Sequence, residues 1–224
     1  MKSLLQISIN TLRWTEGNHV WFDAKLKPDT STEVYWGDGS HSTMRHYSDL
    51  PTCCCVAHYY VSAERKELPF EIEFLSEDSD SLLALVDGTW ETQVNNVVFK
   101  DCPALIYLQY TQLHKVDFRG CPNLETLVVN EYYADKLDLS AMPRLKKVLC
   151  RASCDLKSLD LTNNPEVEEL DISHCTNLLR VKVSNSSRLR VLANACTKLD
   201  AHSLKWLQAT VERNGGHIQD EWLD

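Results

Sequence analysis

The sequence predicts a mainly β protein in two parts: a β-sandwich, then a repeat solenoid that ends in a helix. Three observations carry this reading. The first 80 residues hold short runs in which apolar and polar residues alternate, which is the period of a half-buried strand. Residues 94–198 repeat an apolar register at near-constant spacing, the mark of stacked coils. Residues 199–224 break that rhythm and carry a helical one.

The alternating runs are Leu5–Ile9, His19–Leu26, Glu33–Trp36 and Phe70–Phe74, separated by turn residues. The polar, acidic stretch Ser76–Ser81 follows, and it places the domain boundary there: 1–80 for the sandwich and 81–224 for the solenoid. Charge differs between the halves. Residues 1–90 hold 7 Lys/Arg against 14 Asp/Glu, whereas residues 91–224 hold 16 against 18.

The repeat aligns on Leu-x-x-Leu-x-Leu with other apolar residues allowed. Its starts fall at Val94, Leu105, Leu113, Leu124, Ala134, Leu145, Leu156, Val167, Leu178 and Leu189, mostly 11 residues apart. Two kinds of unit alternate. One ends in a turn with proline, as in Val116–Pro122, Leu137–Pro143 and Leu159–Pro165; the other lacks it, and Leu108, Leu127, Val148, Leu170 and Leu192 mark its strands. Paired, they make five coils of 19 to 22 residues. At about 4.8 Å per coil the stack rises about 20–25 Å.

The end of the chain reads as a cap. The Asp200 side chain is placed to cap a helix, with Leu204, Leu207 and Val211 on one face and Gly215 as the stop. Such a helix covers apolar side chains and strand edges at the open end of a solenoid.

The register Leu-x-x-Leu-Asp-Leu-x-x-Asn-Pro resembles a bacterial leucine-rich repeat of the nested kind, with about 21 residues per coil, over roughly residues 94–198. Tyr35-Trp-Gly-Asp-Gly-Ser40 resembles the turn of PKD-like domains. Ala57-His-Tyr-Tyr60 followed by Phe70–Phe74 is similar to that family's later strands. The chain departs from the pattern in two places: the glycine usual before the last strand is missing, and Asp49–Cys55 reads as an insertion. The fold the resemblance implies is mainly β, a PKD-like β-sandwich followed by a leucine-rich-repeat solenoid with a C-terminal capping helix. Similar repeat proteins of bacteria are often secreted or surface-bound. The N-terminus instead reads as a strand rather than a signal-peptide core, which favours a cytoplasmic location.

Several chemistries are disfavoured. A net charge of −9 and a pI near 5.4 argue against a nucleic-acid footprint. No run is apolar for the roughly 18 residues of a membrane span. The nine cysteines read as free thiols. Cys102 and Cys121 sit in a turn place that later coils fill with Met142, Asn164 and Ser186, and Cys150 takes an inward strand place. Cys53, Cys54 and Cys55 with His46 and His58 lack zinc-ligand spacing, because neighbours on an extended chain point opposite ways. Asp23 and Asp38 read as turn and strand residues rather than calcium ligands. Seven glycines supply no phosphate-cradling loop. No cofactor or metal is expected.

On the second kind of strand, Ile106, Glu125, Lys146, Glu168 and Arg190 form a column of alternating sign. The outward places beside it are unusually apolar. Tyr107, Val128 and Leu149 stand there, and the turn after Val129 adds Tyr132 and Tyr133. A contiguous apolar and aromatic patch marks a partner site or a face covered by the first domain. The expectation is a non-enzymatic interaction module that holds a protein or glycan on the solenoid face. Alternatives are an enzyme with its site in the interdomain cleft and a purely structural spacer or surface-layer protein.

Overall fold

The computed structural model describes residues 1–10, 19–46, 54–60, 70–88, 93–184, 188–213 and 218–219. The molecule is mainly β, with a β-solenoid of about five turns spaced by about 21 residues and one C-terminal helix among the described residues. The chain divides into two compact units, Met1–Cys121 and Pro122–Asp224.

The first unit contains β1 (Lys2–Asn10), β2 (His19–Leu26), β3 (Ser31–Tyr35), β4 (His41–Arg45), β5 (Cys54–Tyr59), β6 (Phe70–Ser76), β7 (Leu82–Asp87), β8 (Gln93–Phe99), β9 (Tyr107–Thr111) and β10 (Val116–Asp117). One sheet runs β10-β8-β1-β6-β3-β4 and the other β9-β7-β2-β5. The alternation read from the sequence sets which side chains face inward. Ile7, Ile9, Phe22, Val34, Ile72 and Phe74 are all fully buried. The two inner faces meet where Phe22 of one sheet packs edge-on against Phe74 of the other, ring centroids 5.3 Å apart.

Strands on either side of residue 80 share these sheets. β7 pairs antiparallel with β2 and parallel with β9. β8 pairs antiparallel with β1 and parallel with β10. The first coil therefore has no open edge on this side, and its backbone donors and acceptors are used by the N-terminal strands.

The second unit contains β11 (Thr126–Asn130), β12 (Lys136–Leu137), β13 (Lys147–Leu149), β14 (Ser158–Leu161), β15 (Glu169–Asp171), β16 (Arg180–Val183), β17 (Arg190–Leu192), α1 (Ala201–Arg213) and β18 (Ile218–Gln219). Within it β11-β13-β15-β17-β18 form one parallel row and β12-β14-β16 another. Leu127, Val148, Leu170 and Val191 are register partners in the first row, and all are buried. Leu137, Leu159 and Val181 line up in the second. Asn164 takes the buried turn place of Met142 and donates to the Leu139 and Met142 carbonyls, which satisfies backbone acceptors inside the stack.

Two sequence expectations need correction. The inward residue of the last strand is Val191, not Leu192, because the last coil is one residue shorter before its strand. Leu192 instead partners Asp171 on the outer side. On α1 the buried side chains are Ser203, Leu207, Thr210 and Val211, whereas Leu204 is 39% exposed. The helix is rotated so that Ser203 faces the sheet. Its hydroxyl accepts from the Val181 N–H at the edge of β16, while Asp200 caps the helix by accepting from the Ser203 N–H. The stop at Gly215 lies outside the described residues, as does Cys53.

Candidate functional site

The coils turn sharply after each strand of the first row. Glu131, Ala152, His174 and Ala195 take left-handed conformations there, with φ between 53° and 63°. L-residues adopt these uncommonly. The N–H of the first three donates to the carbonyls of Arg151, Ser173 and Asn194 in the following coil. This ladder of corner bonds holds the outward side chains of the row in fixed register.

The outward places fall in ranks. Val128, Leu149, Asp171 and Leu192 form one rank across β11, β13, β15 and β17. Val128, Leu149 and Leu192 are half-buried. Asp171 is only 1% exposed, because its carboxylate receives the Arg151 Nε at 2.5 Å and the Ser173 N–H. Thr126, Lys147, Glu169 and Arg190 form the next rank, in which Lys147 pairs with Glu169 at 3.0 Å. The alternating column read from the sequence survives in the pair Lys146–Glu125 at 2.9 Å. Its last place is shifted by the shorter coil, so that Arg188 rather than Arg190 reaches Glu168.

Of the predicted patch residues in the second unit, Val128 and Leu149 are register neighbours, and Tyr133 is 38% exposed. Its hydroxyl is directed at Glu131. Tyr132 is not a surface residue. It is 4% exposed, and its hydroxyl donates to the Lys136 carbonyl. The long turn folds one tyrosine under and leaves the other out, a distinction that two adjacent tyrosines do not carry in sequence.

Tyr107 lies in the first unit, half-buried on the outward face of β9-β7-β2-β5. Sequence reasoning missed its neighbours there. Trp21, Asp23 and Lys25 of β2 face the same way, as do Cys55, Ala57 and Tyr59 of β5 and Ala84 and Val86 of β7. The Trp21 indole lies flat over Gly88, where a Cβ would sit 2.1 Å from the ring. The Tyr107 hydroxyl donates to Gln109 Oε1, which lays the phenol along its strand. Tyr59 is 64% exposed. The alternation of β2 carried the signal for this face, since Trp21 is the large apolar residue on its polar side.

The other constellations hold structure together. His58 stacks on Trp36 with ring centroids 5.0 Å apart and lies 2.7 Å from Asp38 Oδ2. Burial raises the Asp38 carboxyl, but the Ser40 hydroxyl and N–H together with His58 outweigh it and hold it below the ordinary range. The Cys54 thiol donates to the Arg45 carbonyl. Asp117, Asp138 and Asp160 each accept the N–H two residues on, from Arg119, Ser140 and Thr162. Each acidic side chain thus serves its own turn. Among the described residues no three His, Cys, Asp or Glu side chains gather as metal ligands, and no helix is long and apolar enough to cross a membrane.

Comparison of the chain with protein-family models, with curated proteins and with solved structures gives no match.

Proposed function

We propose that this protein is a non-enzymatic interaction module that presents a rigid repeat surface to a protein or glycan partner. The observation that carries the reading is the rank of outward apolar side chains on a fixed backbone: Val128 and Leu149 stand side by side, half-exposed, above a fully buried interior. A partner meets these side chains without ordering them first, so little conformational entropy opposes binding. Apolar residues held at the surface of a monomer are otherwise a solubility liability.

On this reading the repeats are leucine-rich repeats of the bacterial kind. Regular inward Leu and Val places and the Asn164 bonds inside the stack support that assignment. The first unit is PKD-like. Its Trp36–Ser40 turn supports this, with Gly37 and Gly39 at φ +82° and +94° and Trp36 buried beneath His58.

The test sets the wild-type chain beside the double variant Val128→Asp/Leu149→Asp on arrays of immobilised glycans and peptides. A ligand should be retained by the wild type, recovered chemically unaltered, and lost by the variant. Retention of no ligand by the wild type, or conversion of the retained ligand, would overturn the reading; a ligand that the variant retains equally is held elsewhere on the chain.

A further inference from the structure

The outward face of β9-β7-β2-β5 brings three aromatic side chains, Trp21, Tyr59 and Tyr107, onto one sheet surface. Cross-strand register places Trp21 beside Ala57, Asp23 beside Cys55 and Val86, and Ala84 beside Tyr107. Ala84 and Val86 of β7 form a low floor of small side chains between β9 and β2, and Ala57 of β5 lies beyond Trp21. Trp21 and Tyr107 flank this floor. They lie along the sheet rather than projecting from it, one over Gly88 and the other tethered to Gln109. Between Tyr107 and Trp21 the register places the hydrogen-bonding groups of Gln109 and Asp23, both half-buried, on either side of Val86.

From this we infer that the face binds a neutral polysaccharide chain, an inference that rests on the interaction-module reading and names its ligand class. A pyranose ring has one flat face of C–H groups and a rim of hydroxyls. Flat aromatic rings match the first, and side-chain amide, carboxylate and hydroxyl groups match the second. The charge on the face is balanced: Asp23 and Lys25 are two residues apart on β2, in a chain whose net charge is −9. An anionic polymer meets no surplus of positive charge here, and a cationic one no surplus of negative. A protein partner draws most of its affinity from anchors inserted into desolvated pockets. This face instead has a shallow floor, and its indole is already packed on the backbone.

Electrophoresis of the full chain in native gels tests this with hydroxyethyl cellulose, xylan, glucomannan or soluble starch in the matrix, and alginate as the charged comparison. At least one neutral polymer should retard the chain more than alginate does. Trp21→Ala and Tyr107→Ala should each weaken retardation about tenfold. Tyr59→Ala, at a far more exposed position, repeats the test where folding is least at risk. Tyr107→Phe should keep most of the binding, because it keeps the ring. The inference falls if none of the four neutral polymers retards the chain, or if the three alanine variants migrate as the wild type does. A chain that retains a peptide through Val128 and Leu149 but no polysaccharide would overturn this inference and leave the interaction-module reading standing. A chain that retains neither would overturn both.

Discussion

His58 and Asp38 meet at 2.7 Å on the flank of a buried tryptophan. The contact ties β5 to the glycine turn after β3. The Tyr60 hydroxyl adds a second tie by donating to the Trp36 carbonyl at 2.7 Å. The turn is thus fixed from both sides of one residue pair, and Gly37 completes it. A Cβ there would lie 2.7 Å from the Glu71 carbonyl oxygen, at a φ that L-residues rarely adopt.

The carboxyl of Asp38 is held below its ordinary range in the folded chain. A group held low adds stability at pH values above its unfolded value of about 3.9 and loses it as pH falls through the folded value. Replacing Asp38 by Asn should therefore lower the melting temperature at pH 7 and change it little near pH 2, where both chains are protonated or neutral at this site. Thermal melts across pH 2–8 check this. An equal drop at both ends of the range would show that the residue acts through turn geometry alone.

Leu161 is fully buried in the second unit, and its register partner is Val183. Truncation to Ala removes burial and leaves a cavity that rigid coils cannot close, so the cost should be about 2–5 kcal/mol. Leu192→Ala, on the outer side of the neighbouring row, should cost much less. Chemical denaturation of both variants measures the difference. Comparable losses would mean that the inward and outward places are wrongly assigned.

The repeat was legible because its signal is redundant: every coil restates the same apolar places, so errors average out over about five turns. Single-residue events were not. The shortened step that brings Val191 inward cannot be distinguished from a regular one when Leu189, Val191 and Leu192 are all apolar. The left-handed corners at Glu131, Ala152, His174 and Ala195 carry no glycine to announce them. The helix face was misjudged because Ser203 is polar, and its burial depends on a partner N–H in β16, far away in sequence. For the candidate face the same limit applied. Tyr107 was legible from the repeat, but Trp21 and Tyr59 reach its sheet only through pairing of strands distant in sequence.

Ser203 leads to a prediction about association. Its hydroxyl accepts from the Val181 N–H, a backbone donor on the edge of β16 that the helix otherwise covers. With Ser203→Ala that donor is buried without a partner, at a cost of about 1–3 kcal/mol. An unsatisfied strand edge also recruits other chains. The variant should melt at lower temperature and scatter light at concentrations where the wild type stays clear. Ser203→Thr, which keeps the oxygen, should restore most of the loss. A variant as stable and as soluble as the wild type would show that β16 is protected by the helix backbone rather than by this side chain.

The cysteines allow the packing to be read by chemistry. Eight of the nine lie among the described residues, and no disulfide joins any two of these eight. Cys55 and Cys154 are exposed; Cys102, Cys121, Cys150 and Cys175 are buried. Burial pushes the Cys102 thiol up to about 12 and raises Cys121 as well. The thiolate is the reactive species, so burial suppresses these sites twice, through access and through protonation. A thiol reagent at pH 8 should modify Cys55 and Cys154 first in the native chain. Cys55 should be the slower of the two, because burial and Asp23 raise its thiol. The four buried cysteines should react only at the rate of unfolding, and denaturant without reductant should release all nine. Peptide mapping after timed labelling identifies each site. Early modification of Cys102 or Cys175 would mean that the interior opens locally, and a denatured count below nine would mean that some of these cysteines are paired.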